Sequence, residues 1–468
     1  MGMDIAQKHK ELGEAPIGKL LWKFSLPGIV GMLVNSLYNV VDRIFIGNGV
    51  GSDAIGGLTV AFPLMIITMA VSMLVGVGAS TLLSIKLGEH DHEAAEKLLG
   101  NGFVLLIIFG LLPTVVGLPF LEPLLVAFGA SPDILSYAVD YTRIILIGNV
   151  AASVGFGMNN FVRAEGSPRI AMVTMVISAL VNIVLDYVFI YPLGMGVAGA
   201  AWATVIAQLI SAVWVLYFFT LHPGSTLRLA GPYFRLEWRL FKHIVAIGLA
   251  PCLMQLCQSL VILIINRRIG VYAGDLTGLY IAIIGVTNSI IGIFMMPLMG
   301  ISQGVQPIIG YNYGAKQYAR TREAILKAII SGVVISLVAY VAMFTVPEQL
   351  ISIFNRSDTT LAHLGARVLI ISNLLLPGVA FGVIGSQYFQ AIGKAKTAIF
   401  LSLTRQCLFL IPAVYLMPLI WGLDGIFFAF VVSDGSAILL TCCFLGWEFH
   451  QMRKKGLLPS KRSQGGAK

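Results

Sequence analysis

Apolar stretches of about 20 residues or more recur along nearly the whole of this 468-residue chain, and each is long enough, wound as a helix, to cross a hydrocarbon layer roughly 30 Å thick. Twelve can be marked out, at roughly 20–47, 55–86, 94–127, 132–164, 168–191, 194–221, 241–271, 275–311, 320–354, 358–392, 396–417 and 420–449. The composition agrees: 57% of residues are hydrophobic and 11% charged, against about 25% charged in a typical soluble domain, and the mean hydropathy is +0.88. A β-barrel is excluded, because its strands would alternate apolar and polar residues over about ten positions. The expected fold class is an all-α integral membrane protein of twelve transmembrane helices.

Charge sets the topology. The net charge of +9 suggests nucleic acid until its distribution is considered. The N-terminus, the connections that follow even-numbered spans and the C-terminal tail together hold 24 of the 31 Lys and Arg residues. The segments involved include KLGEHDHEAAEK, RAEGSPR, GAKQYARTREAILK and RKKGLLPSKR. By the positive-inside rule that side is cytoplasmic, with both termini inside. The basic residues then serve orientation and contact with lipid headgroups, and no nucleic-acid partner is expected. The first 19 residues carry Asp4, Lys8, Lys10, Glu11, Glu14 and Lys19 and no small-residue cleavage site, so no removable signal peptide is expected. Cys252, Cys257, Cys407, Cys442 and Cys443 all fall within spans and form no CxxC pair, which gives neither a disulfide framework nor a metal cage.

The chain also repeats itself. RAEGSPRIA after the fourth span matches QAIGKAKTA after the tenth, and PLGMGVAGAAWA opening the sixth matches PLIWGLDGIFFA opening the twelfth. VGASTLLSIKLG at the end of the second span parallels GVQPIIGYNYGA at the end of the eighth. These pairs lie 226 or 227 residues apart, which describes two six-helix lobes following each other in the same orientation. The boundary falls in HPGSTLRLAGPYFRLEWRLFKH. The expected organisation is a first lobe over 1–221, a linker over 222–241, a second lobe over 242–450 and a basic tail over 451–468. Parallel repeats of this kind belong to alternating-access transporters, whose substrate site lies between the lobes.

Within these apolar helices two polar stripes stand out. In the fifth span Thr174, Ser178, Asn182 and Asp186 follow at intervals of four, and in the first Asn35, Tyr38, Asn39 and Asp42 follow at three and four. Each set shares one face of its helix, and that face must avoid lipid. At about 1.5 Å per residue, Asp42, Asp186 and Thr204 all lie roughly 25–28 Å from the cytoplasmic ends of their helices. They therefore share a level in the outer half of the membrane. Desolvation and mutual repulsion oppose ionising two neighbouring carboxylates together. Such a pair can hold a proton or a hard cation, and the oxygens of Asp42, Asp186, Asn182 and Thr204 with a freed backbone carbonyl suit Na⁺. Intramembrane carboxylates are costly and mark functional sites. The second half carries Ala413, Phe409, Phe430 and Asn266 at the positions of Asp186, Asn182, Thr204 and Asp42, so the fold does not itself require the polar set.

At these residues the chain resembles the multidrug and toxic compound extrusion (MATE) family of efflux transporters, over essentially all twelve spans. The resemblance rests on the spacing from Pro27 to Asp42, on VD at 41–42, NIVLD at 182–186 and GVAGAAWATVIAQ at 196–208. It implies a first-lobe cation site formed by Asp42, Asn182, Asp186, Thr204 and the Ala200 carbonyl, and Tyr38 is placed with them. It further implies export of amphipathic, often cationic compounds driven by entry of H⁺ or Na⁺, with no cofactor, by a monomer in a prokaryotic inner membrane. Two departures are visible. The seventh span offers only Gln255 and Gln258 where one branch of the family carries a carboxylate, and Arg43 directly follows Asp42 and is read as snorkelling outward.

Pro27 removes a backbone hydrogen bond near the start of the first span and is the expected hinge. Candidate substrate contacts are the in-span polar residues Asn159, Gln255, Gln258, Asn288 and Gln306. Arg405 and Asp434 are a second intramembrane pair, read as a structural ion pair. His90 and His92 lie in a charged loop and are read as solvated. A lipid-linked glycan flippase of the same superfamily would need several cationic side chains toward its cavity. A membrane enzyme would need a catalytic motif such as HExxH, and none is present.

Overall fold

A chain segment inside hydrocarbon must pair its own backbone groups, so long apolar runs become long helices. The computed structural model describes residues 5–354 and 359–458. A leading helix, Ile5–Glu14, precedes the spans α1 (Ile17–Gly49), α2 (Ser52–Gly88), α3 (His92–Gly117), α4 (Pro132–Ala164), α5 (Pro168–Ile190) and α6 (Gly196–Thr220). The second half comprises α7 (Trp238–Tyr272), α8 (Thr277–Gly314), α9 (Tyr318–Thr345), α10 (Thr359–Ser372 and Leu376–Ala391), α11 (Ala395–Trp421) and α12 (Leu423–Lys454). Among the described residues, eleven helices are long and apolar enough to cross a membrane, and the two pieces of α10, bent by 50°, supply the twelfth span.

The departures from expectation follow proline and glycine. The third span stops at Gly117 and the chain continues as a short separate helix, Leu121–Ala127. The ninth likewise stops at Thr345, just before Pro347 opens another short helix. α10 breaks ahead of Pro377, which has no N–H for the preceding turn. α11 passes through a π-helical segment, Thr404–Leu410, just before Pro412. The linker after α6 holds a 3₁₀ turn at Gly231–Phe234, and α7 begins at Trp238, three residues earlier than expected. α12 runs on to Lys454, and residues 459–468 of the basic tail lie outside the described residues.

The internal repeat is reproduced turn by turn. After α2, His90 adopts φ 60°, and after α8, 226 positions later, Lys316 adopts φ 58°. Both sit in the left-handed position of a helix C-cap, with Asp91 N–H on the Lys86 carbonyl and Gln317 N–H on the Asn312 carbonyl. Gly196 and Gly422, opening α6 and α12, have φ 58° and 55°, a conformation that favours glycine.

Packing repeats as well. In the first lobe α2 packs on α3 and α4, α4 on α3 and α6, and α5 on α1 and α6. In the second, α8 packs on α9 and α10, α10 on α9 and α12, and α11 on α7 and α12. The lobes meet by exchange, α1 against α8 and α7 against α2. At the end where both termini lie, a methyl group on Gly88 would strike the Tyr311 carbonyl, and one on Gly314 would strike the Ile85 carbonyl. These are the same contact viewed from either lobe. Gln306 Nε2 donates to Thr81 Oγ1 (2.6 Å) across it, and Arg320 donates to the Ala15 carbonyl (2.7 Å). The largest buried cluster, with Phe24, Leu83, Ile308 and Tyr388, draws on both lobes. Toward the far side the clusters divide, one including Ile265, Ile283 and Phe427 and another including Ile46, Ala61 and Ala200. The lobes therefore close against each other on the terminus side and part toward the far side.

Candidate cation-binding site

The polar stripe of α5 turns inward because α5 is sandwiched between α1 and α6. At Gly31 and Gly49, α1 comes close enough for Met175 and for Ile190 with Tyr191 of α5 to fill the space a side chain would take. Phe45 of α1 adds ring contacts to Tyr187 and Tyr191, with centroids 6.3 and 6.0 Å apart. These contacts align Asp42 with Asp186. Thr174, Asn182 and Asp186 are all buried, as are Asp42, Thr204 and Ala200, and Asp186 has no exposed surface.

The two carboxyl groups adjoin closely enough to share a hydrogen bond once one of them carries a proton. Asn182 Nδ2 donates to Thr204 Oγ1 (3.3 Å), tying α5 to α6, and one turn toward the termini Ser178 Oγ donates to the Ala207 carbonyl (3.2 Å). After these bonds, four buried oxygens have no donor: Asp42 Oδ1, both carboxylate oxygens of Asp186, and Asn182 Oδ1. Buried acceptors left unpaired are costly. A proton or an oxygen-seeking cation would satisfy them, and their chemistry fits Na⁺, which takes oxygen ligands. Among the described residues no three His, Cys, Asp or Glu side chains gather, so any cation here would rest on two carboxylates and neutral oxygens.

Tyr141 was not among the residues singled out by sequence. It is buried on α4 against Thr204, within electrostatic reach of Asp42, Asp186 and Tyr38. Tyr38 is partly buried and shares the same charged surroundings. Arg43 is exposed, its guanidinium 5.9 Å from the centroid of the exposed Phe62 ring.

The candidate substrate residues divide. Asn159 is buried and donates to the Ala171 carbonyl (3.0 Å), joining α4 to α5, and Gln306 bridges the lobes as described. Gln255 is partly buried, whereas Gln258 and Asn288 are exposed. Arg405 and Asp434 pair, with Nε and Oδ1 at 2.6 Å. Ser433 Oγ donates to the Arg405 carbonyl (2.5 Å).

The family model MatE matches residues 27–188 and 250–416. The chain belongs to the MatE family. It is 27% identical over 431 residues to the multidrug export protein MepA of Staphylococcus aureus (strain N315), covering 91% of this chain and 93% of that protein. It is also 27% identical over 434 residues to MepA of Staphylococcus haemolyticus (strain JCSC1435), covering 92% and 93%. Among solved structures, the MATE multidrug transporter DinF-BH is 36% identical with a TM-score of 0.85, covering 92% of this chain and 95% of that one. An outward-facing multidrug resistance MATE family transporter of the MOP superfamily is 25% identical with a TM-score of 0.88, covering 98% and 100%. In this MatE-family chain the matched segments contain Asp42, Asn182 and Asp186, whereas Thr204 and Ala200 fall between them.

Proposed function

We propose that this chain is a secondary active multidrug efflux transporter that exports amphipathic, often cationic compounds by antiport with H⁺ or Na⁺. The observation that carries the coupling is the set of four donorless oxygens on Asp42, Asp186 and Asn182. Export of drugs is supported by the likeness to MepA and to the DinF-BH transporter. The positive-inside distribution supports a reading with both termini in the cytoplasm of a prokaryotic cell, and under that reading the lobes part toward the outside. Two cationic side chains within the spans are engaged locally, Arg43 over Phe62 and Arg405 with Asp434. A large anionic substrate would find these two charges already engaged.

Alternation follows from a coupling between the site and α1. That helix continues through Pro27, where the carbonyl one turn earlier has no donor and bending costs least. Asp42 lies on the same helix beyond the hinge. Taking up a proton or Na⁺ removes the repulsion between Asp42 and Asp186 and so changes which bend of α1 is preferred. α1 packs along α8 of the other lobe, so its bend reaches the lobe interface. The drug is expelled outward, and the cation leaves to the cytoplasm on the return step.

The test uses proteoliposomes loaded with a fluorescent organic cation and given a pH gradient or a sodium gradient separately. One gradient or both should drive efflux, and Asp42→Asn and Asp186→Asn should each abolish the driven component at normal protein levels. Efflux indifferent to both gradients, or full driven efflux in both variants, would overturn the assignment.

A further inference from the structure

We infer that a cleft between α3 and the start of α7 is a binding site for an anionic phospholipid. The cleft encloses about 440 Å³, within the roughly 300–1,000 Å³ of small-molecule pockets. One wall is Leu105, Ile108 and Leu112 of α3 and the other is Trp238 and Phe241 of α7; every lining residue is apolar. Phe109 and Phe241 stack at 6.4 Å to join the walls, and Trp238 stacks on Phe241 at 4.9 Å. Ile108, Leu112 and Trp238 remain exposed at 45%, 50% and 65%. This is a concave, exposed apolar face, shaped for a hydrocarbon chain.

Charge at the mouth selects the headgroup. Lys242 Nζ stands 5.2 Å from the centroid of the Trp238 ring, so an ammonium borders the apolar wall directly. Arg235 and Arg239 are exposed beside it. Three carboxylates share this end: Glu237 and Glu93 lie toward Lys97 of α3, and Glu96 accepts from the Arg228 N–H (3.0 Å). With Lys97 and Arg228, five cations against three carboxylates leave this end positive, which favours a phosphate with net negative charge over a zwitterionic headgroup. The mouth is also preformed. Asn101 of α3 accepts from the Glu237 N–H (2.8 Å) and donates to the Tyr233 carbonyl (3.3 Å), which holds the linker in place.

The cleft has α3 of the first lobe on one side and α7 of the second on the other. A lipid held there contacts both moving bodies, and its affinity differs between conformers wherever the two walls shift relative to each other. The proposal concerns lipid binding alone and stands whether or not the chain exports drugs.

The full-length protein is reconstituted in nanodiscs with phosphatidylglycerol or phosphatidylcholine brominated on the acyl chain. Quenching of tryptophan fluorescence is compared between the wild type and Trp238→Phe, so that the difference reports Trp238. Brominated phosphatidylglycerol should quench Trp238 at a lower mole fraction than brominated phosphatidylcholine. Lys242→Gln and Arg239→Gln should each weaken that preference roughly fivefold, as expected of a basic residue at the headgroup level. Both positions are exposed, so these variants should fold normally. Equal quenching by the two lipids, or a preference unchanged in both Gln variants, would reduce the cleft to a surface wetted by bulk lipid and overturn the proposal.

Discussion

Gly304 and Gly292 lie on α8 three turns apart and make opposite predictions. A Cβ built on Gly304 meets the backbone of α1, with Ser25 N at 2.7 Å and Phe24 C at 2.8 Å, against an optimum of roughly 3.5–4.0 Å for carbon contacts. Backbone atoms cannot rotate away as a side-chain tip can, so the lobes must part locally. One built on Gly292 meets nothing within 4 Å. Both substitutions to Ala gain up to about 1 kcal/mol of helix propensity, and they gain it in every conformer, so that term cancels. The overpacking cost of about 1–3 kcal/mol falls only on the conformer closed at the terminus side. Gly304→Ala should therefore shift the population toward the conformer open at that side by roughly 5- to 150-fold, while Gly292→Ala leaves it unchanged. Spin labels at Glu93 and Glu323, exposed on opposite lobes, would report the separation in a cysteine-free background. Identical distance distributions for the two variants would refute the reasoning that this packing holds the terminus side shut.

Two further outcomes are expected in the second lobe. Asp434→Leu should lower stability by roughly 2–3 kcal/mol by leaving Arg405 without its partner, toward the lower figure because the Arg405 side chain keeps 30% exposure. Adding Arg405→Leu should recover most of that loss in thermal unfolding in detergent, and a double variant no more stable than the single would contradict it. Cys257 of α7 and Cys407 of α11 place their sulfurs 2.9 Å apart, so copper-phenanthroline should join them by removing two hydrogens. Peptide mapping without reductant would show the link, and its absence in the wild type would refute the pairing.

Much of this was legible because the repeat carries its turns with it. A shift of 226 finds His90 and Lys316 in one C-cap conformation although neither is glycine, and it pairs Gly196 with Gly422. The i, i+4 stripe from Thr174 to Asp186 marked the buried face of α5 correctly, since a polar face in hydrocarbon must be covered. Tyr141 escaped notice because a tyrosine in a span looks like an ordinary amphipathic residue. It lies 22 residues before Arg163, so the depth reckoning that aligned Asp42 with Asp186 sets it a turn or more farther out. Asn159 and Gln306 illustrate the opposite limit. A buried amide reads the same in sequence whether it faces a cavity or a neighbouring carbonyl, and here both amides are spent on neighbouring helices. The breaks in α10 and α11 had their signals in Pro377 and Pro412, but long apolar runs mask them because hydropathy does not register a missing N–H.

The two lobes show how one backbone plan takes two electrostatic solutions. The repeat places Arg405 opposite Ser178 and Asp434 opposite Gln208, one turn nearer the termini than the Asn182 and Thr204 pair. In the first lobe the α5–α6 contact at that level is a neutral bond from Ser178 to a carbonyl. In the second it is an ion pair that neutralises its own carboxylate, braced by Ser433. One turn further out the first lobe sets Asn182 and Thr204 and two turns out Asp186, where the second has Phe409, Phe430 and Ala413. Asp434 is therefore satisfied within the protein, whereas the buried oxygens of Asp42 and Asp186 lack protein donors. Only the latter depend on something from solution. Under the proposed antiport, the coupling ion acts at the aspartates of the first lobe, and the second lobe responds through α1 against α8 and α2 against α7.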